Sequence, residues 1–409
     1  MVKTSIINLF LRGLTLVSKF VLLLYIARFL SPEELGIWGL MISTIVISLY
    51  FLGLDFYVYN TREILAQNET QRIPMIRDQL VFHGLVYVVV LPLLSVVFLL
   101  NLISWKYVGW FYALLVLEHL SQESYRLMVT LSKPTMANIV LFFRSGAWVY
   151  VVVGVMLLAD DLRTLPFIWS GWIVGVLISI GLTAFGLRKM SWGESRRISI
   201  DWTWMKNGLK VSLPFFMATL SFVAIQYADR YFLQHYWGEA MVGVYTFYAS
   251  IANTIHIFVF TGIIMLLYPR IISAYQQGRL DEYRALMKKM SWGIIGGVVV
   301  LVLGAAVLIT PVLKLVGKQI YIDHLGIFWI MLASVAILVI AYIPHYSLFV
   351  RKHDKAIVIS AVSALIVGLV ANSVLVPRYG LTGAALATCC SMATLALIKF
   401  SFMWRRRVK

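Results

Sequence analysis

Polar residues are confined to short intervals of this chain, and between them run apolar stretches long enough to cross a bilayer. They fall at about 5–29, 36–56, 79–100, 107–130, 136–158, 166–187, 208–233, 241–267, 291–313, 325–349, 355–376 and 381–403. The pattern predicts twelve membrane-spanning helices, because a helix closes its backbone hydrogen bonds internally where no water can. The first stretch carries an interruption: Asn8, Arg12, Thr15 and Lys19 recur at spacings of 4, 3 and 4, which is one helical face. At helical rise Lys19 stands about 21 Å from Ser5 and about 15 Å from Phe29. A charge at that depth costs about 2.5–3.5 kcal/mol and normally faces a bundle interior or a water-filled cavity. The stripe is therefore read as part of a transport pathway.

Arg144 is the second deep cation, about 15 Å into the fifth span when counted from Pro134. With Arg12 and Lys19 it marks an anion-binding face on the first half of the chain. In the second half Lys399 is close enough to the cytoplasmic end to snorkel. For Arg12 the alternative is snorkelling to the interface; for Lys19 and Arg144 it is an ion pair with Glu118, Glu123 or Asp55. The second half of the fourth span is crowded with Glu118, His119, Gln122, Glu123 and Arg126. Together with Asp55, the acids and His119 are candidates for a proton or sodium site, the alternative being simple neutralisation of Arg144 or Arg12. Farther on, Ser212, Thr219 and Gln226 repeat along the seventh span, and Tyr245, Tyr248, Ala252 and His256 follow a face of the eighth. Both faces suit the wall of a cavity, with hydroxyl, amide and aromatic groups that fit a sugar, or equally a polar helix–helix seam. Pro92, Pro214 and Pro344 place kinks in the third, seventh and tenth spans.

Composition fixes the class. Hydrophobic residues make up 61% of the chain and charged residues 13%, with a mean hydropathy of +0.87, the profile of a polytopic membrane protein. The net charge of +17 is a topology signal. With both termini in the cytoplasm, 24 of the 35 Lys and Arg residues fall in cytoplasmic tails and loops, seven lie opposite, and four are within spans. This positive-inside bias sets the orientation and makes anionic membrane lipids, not nucleic acid, the neighbours of the excess charge. Cys389 and Cys390 are adjacent and build no disulfide framework. The first span is too long and too polar-striped for a cleavable signal.

The basic stretch 189–207 divides an amino-terminal lobe of six spans, 1–188, from a carboxy-terminal lobe of six, 208–409. Both halves begin in the cytoplasm, so they are expected to be parallel repeats. Gly36-Ile37-Trp38 opens the second span as Gly243-Val244-Tyr245 opens the eighth. Arg62 and Arg270 follow at 26 and 27 residues and end equivalent helices. With Asp229 and Arg230 near the outer surface, these arginines are gate candidates. The segment from Gly278 to Met290 reads either as an interfacial amphipathic helix or as an extension of its neighbours. The chain holds no phosphate-binding loop and no zinc-binding His pair, so an ion gradient, the membrane potential or the substrate gradient is the expected energy source. No cofactor and no metal are expected.

Three local features resemble the polysaccharide or O-antigen flippases of the Wzx type, relatives of multidrug and toxin extruders and of lipid II flippases. They are Ala27-Arg28-Phe29-Leu30-Ser31-Pro32-Glu33-Glu34-Leu35-Gly36, the pair Asp229-Arg230 followed by Val242-Gly243-Val244-Tyr245, and Pro377-Arg378-Tyr379-Gly380-Leu381-Thr382-Gly383-Ala384-Ala385. The resemblance implies an all-α membrane fold of two six-helix lobes around a central cationic cavity. It further implies a non-enzymatic protein of the bacterial inner membrane that moves an undecaprenyl-pyrophosphate-linked oligosaccharide to the outer leaflet by alternating access. Other glycan-assembly membrane proteins and a proton or sodium counter-ion are implied partners. Lipid II flippases carry an arginine in the eighth span, where this chain offers His256 and a terminal Arg270. An organic-cation exporter of the same fold would call for an acidic cavity, whereas the deep charges here are mainly basic. A membrane glycan polymerase would call for a large outer loop, which the chain lacks.

Overall fold

The computed structural model describes residues 2–188, 190 and 198–405. Among them there is no strand, and nine helices are long and apolar enough to cross a membrane. Two of the nine are pairs. Gly238, at φ 80°, breaks the run Trp202–Gln276 into the seventh and eighth spans. Gly380, at φ 53°, breaks Asp354–Arg405 into the eleventh and twelfth. Both positions lie in the left-handed region that glycine enters without a Cβ penalty. Val108–Thr130 is a further continuous helix of 23 residues; it is more polar than the nine and buries Glu118 and His119. Twelve spans result among the described residues.

The second span, Pro32–Gly53, starts with a reciprocal capping box: Ser31 N–H donates to Glu34 Oε2 at 2.9 Å, and Glu34 N–H to Ser31 Oγ at 3.1 Å. It ends at Leu54 and Asp55, both at positive φ, before helix resumes at Tyr57–Ala66. Burial holds this break in place: Phe56 is sealed, stacks 4.1 Å from Phe82 and meets Trp204 edge-on. Pro214 sits inside a helix whose backbone angles stay helical as far as Gly238. Next to Pro344 the tenth span does break, between Ile340 and Tyr342. The fifth and eighth spans each contain a π-helical turn, Phe143–Ala147 and Phe260–Ile264. Leu280–Val316 is one helix of 37 residues, so the stretch after Gly278 is an extension of the ninth span, with Tyr283 and Met290 buried.

The chain forms two compact units, Met1–Leu30 with Leu40–Thr219, and Ser31–Gly39 with Leu220–Lys409. Residues 189 and 191–197 of the basic stretch lie outside the described residues, and from Trp202 the chain is already helical. In the first unit Met128, Ala137 and Leu187 seal one core cluster. In the second, Ile225, Leu338, Ala361, Ala364, Met392 and Leu395 do so. The second unit also contains the crossing of the two glycine motifs. A Cβ on Gly36 would meet the Glu239 carbonyl oxygen at 1.9 Å, and one on Gly243 would meet the Pro32 carbonyl oxygen at 1.9 Å. The sequence echo is therefore a reciprocal backbone contact that only glycine permits.

Candidate functional site

Span one packs on the π-helical turn of span five. Ser18 is sealed and donates to the carbonyls of Thr15 at 2.9 Å and Ser145 at 3.3 Å. Gly146 makes the approach possible, since a Cβ there would lie 3.2 Å from Ser18 Oγ. Thr15 is buried and turned onto its own helix, donating to the Leu11 carbonyl at 2.8 Å. Arg12 does not simply snorkel: its Nε donates to Asn138 Oδ1 at 3.0 Å. Asn8 is half-buried, and its Oδ1 has no hydrogen-bond partner among the described residues. Lys19 is exposed and makes no salt bridge among the described residues, although it lies in the electrostatic field of Arg144 and Glu118.

Arg144 stands within the π-helical turn, a distortion that often accompanies functional sites. Of the open alternatives it takes the ion pair, Nε donating to Glu118 Oε2 at 2.5 Å. The other Glu118 oxygen accepts from Trp172 Nε1, and Trp148 stacks parallel to Trp172 at 6.3 Å while donating to the Arg144 carbonyl. Glu118 and Arg144 thus form a closed clasp, and Glu118 is not part of the other acidic group.

That group is centred on Glu123. Arg126 donates to its Oε1 at 2.5 Å and Gln79 to its Oε2 at 2.7 Å, with His83 Nε2 at 3.8 Å. Gln79 Oε1 in turn accepts from Asn60. His119 Nδ1 shares a 2.6 Å hydrogen bond with the Tyr87 hydroxyl, and its ring lies 4.7 Å from His83. His119 Nε2 and His83 Nδ1 are buried without partners. Asp55 is buried nearby, hydrogen-bonded to Thr219 and in the field of Arg126 and Glu123. Donor atoms of His83, His119 and Glu123 lie within 4.8 Å of one another, a set that suits a transition metal. The Arg126 guanidinium already neutralises Glu123, however, so a divalent cation would have to displace it. Sequence reasoning missed Gln79, His83 and Tyr87. Their signal was available, since they recur every four residues on the third span.

In the second unit Asp229 is fully used. Its Oδ1 accepts from the Arg230 backbone N–H at 2.8 Å and from NH1 at 3.1 Å; its Oδ2 accepts from Tyr245 and from Thr388 at 3.0 Å. Arg230 also donates to the carbonyl of half-buried Gln226 and faces the rings of Tyr227 and Tyr245. Asp229 and Arg230 are buried, so they form an interior clasp and do not reach the outer surface. Tyr245 and Tyr248 are likewise sealed, Tyr248 donating to the Tyr321 carbonyl. Of the two readings of this face, the polar seam describes them. His256 remains half-buried, with Nε2 2.7 Å from the Tyr342 hydroxyl. Arg62 and Arg270 are exposed. Lys399 does not snorkel: it is only 6% exposed.

A sequence profile described as "Polysaccharide biosynthesis protein" matches residues 1–275. No curated protein sequence matches significantly. Among solved structures, an inward-facing multidrug resistance MATE family transporter of the MOP superfamily aligns at a TM-score of 0.79, with 13% identity over 98% of this chain and 97% of its own. The lipid II flippase MurJ aligns at 0.70, with 16% identity over 98% and 87%. A MOP superfamily transporter from Pyrococcus furiosus, described as having a binding pocket of reverse polarity, aligns at 0.65, with 12% identity over 99% and 94%. At these identities the likeness establishes a shared fold.

Proposed function

The chain belongs to the polysaccharide biosynthesis protein family, and from that premise we propose that it is a flippase. Its cargo is an undecaprenyl-pyrophosphate-linked oligosaccharide, an O-antigen or similar repeat unit, carried from the cytoplasmic to the outer leaflet of the bacterial inner membrane. The observation that carries this reading is Lys19, a deep, exposed lysine that makes no salt bridge among the described residues. A pyrophosphate cannot enter hydrocarbon bare, and an ammonium replaces its water with charge-assisted hydrogen bonds. Arg12 and Asn8 extend the same face toward the helix start, and Arg144 adds positive field while its own hydrogen bond goes to Glu118. A multidrug exporter of organic cations would have to bind its cargo beside this ammonium, against its charge.

The Glu123, His119 and Asp55 group is the place for a coupling proton. His83 and His119 stand beside the Glu123 carboxylate there, and each has one ring nitrogen without a hydrogen-bond partner among the described residues. The test of the cargo is made at native expression in cells deleted for the chromosomal copy. Lys19→Met is expected to abolish surface glycan and leave lipid-linked oligosaccharide at the inner leaflet, while Lys19→Arg restores display. Normal glycan from Lys19→Met would remove the anion-site reading.

A further inference from the structure

The second unit holds a cation that the fold does not neutralise. Lys399 lies inside the last span, nearly sealed, with no salt bridge or hydrogen bond among the described residues. His345 stands on the helix Tyr342–Val350 of the tenth span, which packs against the helix that carries Lys399, and it lies in the electrostatic field of that lysine. The buried Nδ1 of that imidazole has no partner among the described residues. From His345 a polar row continues to Tyr342, ring centroids 6.1 Å apart, and on to His256 of the eighth span through a 2.7 Å hydrogen bond. His256, Tyr342 and His345 are each half-buried. An interior ammonium without an acid weakens a fold, and replacing such a charge with an apolar side chain of similar volume is commonly neutral or stabilising. Packing therefore gives no reason for Lys399, whereas anion binding does: an ammonium and an imidazole N–H are donors suited to phosphoryl oxygens.

We propose that Lys399 and His345 form a phosphoryl-binding point in the second unit, separate from Lys19. As a contact for the cargo it rests on the flippase reading; its chemistry also fits a phospholipid headgroup. The full-length protein in detergent would be tested against undecaprenyl pyrophosphate, undecaprenol and phosphatidylglycerol by native mass spectrometry, with thermal unfolding in parallel. Lys399→Met is expected to bind undecaprenyl pyrophosphate about tenfold more weakly, with undecaprenol binding unchanged and a melting temperature equal to or above wild type. Lys399→Arg is expected to keep binding. A Lys399→Met protein that binds both phosphorylated lipids as wild type does, or one that melts lower, would overturn the proposal by making the amine irrelevant or structural. Loss confined to phosphatidylglycerol, in a protein that never bound undecaprenyl pyrophosphate, would keep the site and instead remove the cargo assigned above.

Discussion

Arg144 and Lys19 are both deep cations, yet opposite experimental behaviour is expected of them. Arg144 is paired in a largely dry setting, so removing its partner strands a charge, at a cost of about 3–5 kcal/mol. Glu118→Gln should lower the melting temperature of the purified protein markedly. Changing both residues to Met should recover much of the loss, because a well-packed apolar pair replaces an ion pair at little cost. A Glu118→Gln protein as stable as wild type would show that the clasp contributes nothing. Lys19 has no such ion pair among the described residues, and its substitution should change transport while leaving stability alone. The Asn8-to-Lys19 stripe was legible in the sequence because a helical face depends on spacing alone. The partner of Arg144 was not, since three acids were open to it and only the packing of spans four and five selects Glu118. Lys399 misled for the same reason: its distance from the helix end said nothing about the neighbours that enclose it.

The spans themselves were readable from apolar length, and two of the turns between merged helices fall on glycines, where sequence marks a left-handed residue. The break at Leu54 and Asp55 carries no such mark. It is held by tertiary burial of Asp55 and Phe56, which local propensity does not record. Gly36 and Gly243 stand between these cases: the sequence shows the echo, and only the coordinates show the contact. Because the atom each Cβ would strike is a backbone carbonyl oxygen at 1.9 Å, no side chain can yield. Gly36→Ala and Gly243→Ala should each lower stability by at least about 1–3 kcal/mol, the usual cost of overpacking, read as a lower melting temperature. Gly13→Ala is the matched control in an open helical position, where alanine favours the helix by about 1 kcal/mol. If the crossing variants melt like the control, the two helix ends separate freely and the contact is incidental.

For the whole molecule, charge distribution and helix length bear on the same question of orientation. The ninth-span helix of 37 residues is about 55 Å long at helical rise, against roughly 30 Å of hydrocarbon, so one end stands well clear of the bilayer. Its first turns carry Arg284, Lys288 and Lys289, the composition favoured in cytoplasmic loops. Topology then follows by counting spans from that end. Replacing Cys389 and Cys390, the two native thiols, gives a background for labelling single cysteines at exposed positions. In right-side-out spheroplasts a membrane-impermeant maleimide should label Asp161→Cys, between the fifth and sixth spans, without disruption. It should reach Gln277→Cys, in the turn before the ninth span, only after permeabilisation. The direction of transport depends on this result. With the interior negative, outward movement of each negative charge is favoured by about 2.3 kcal/mol per 100 mV, and the phosphorylated head proposed to bind at Lys19 would follow a path the potential already favours. The reverse labelling would set the same cations against the potential and would exclude outward flipping as the work of this face.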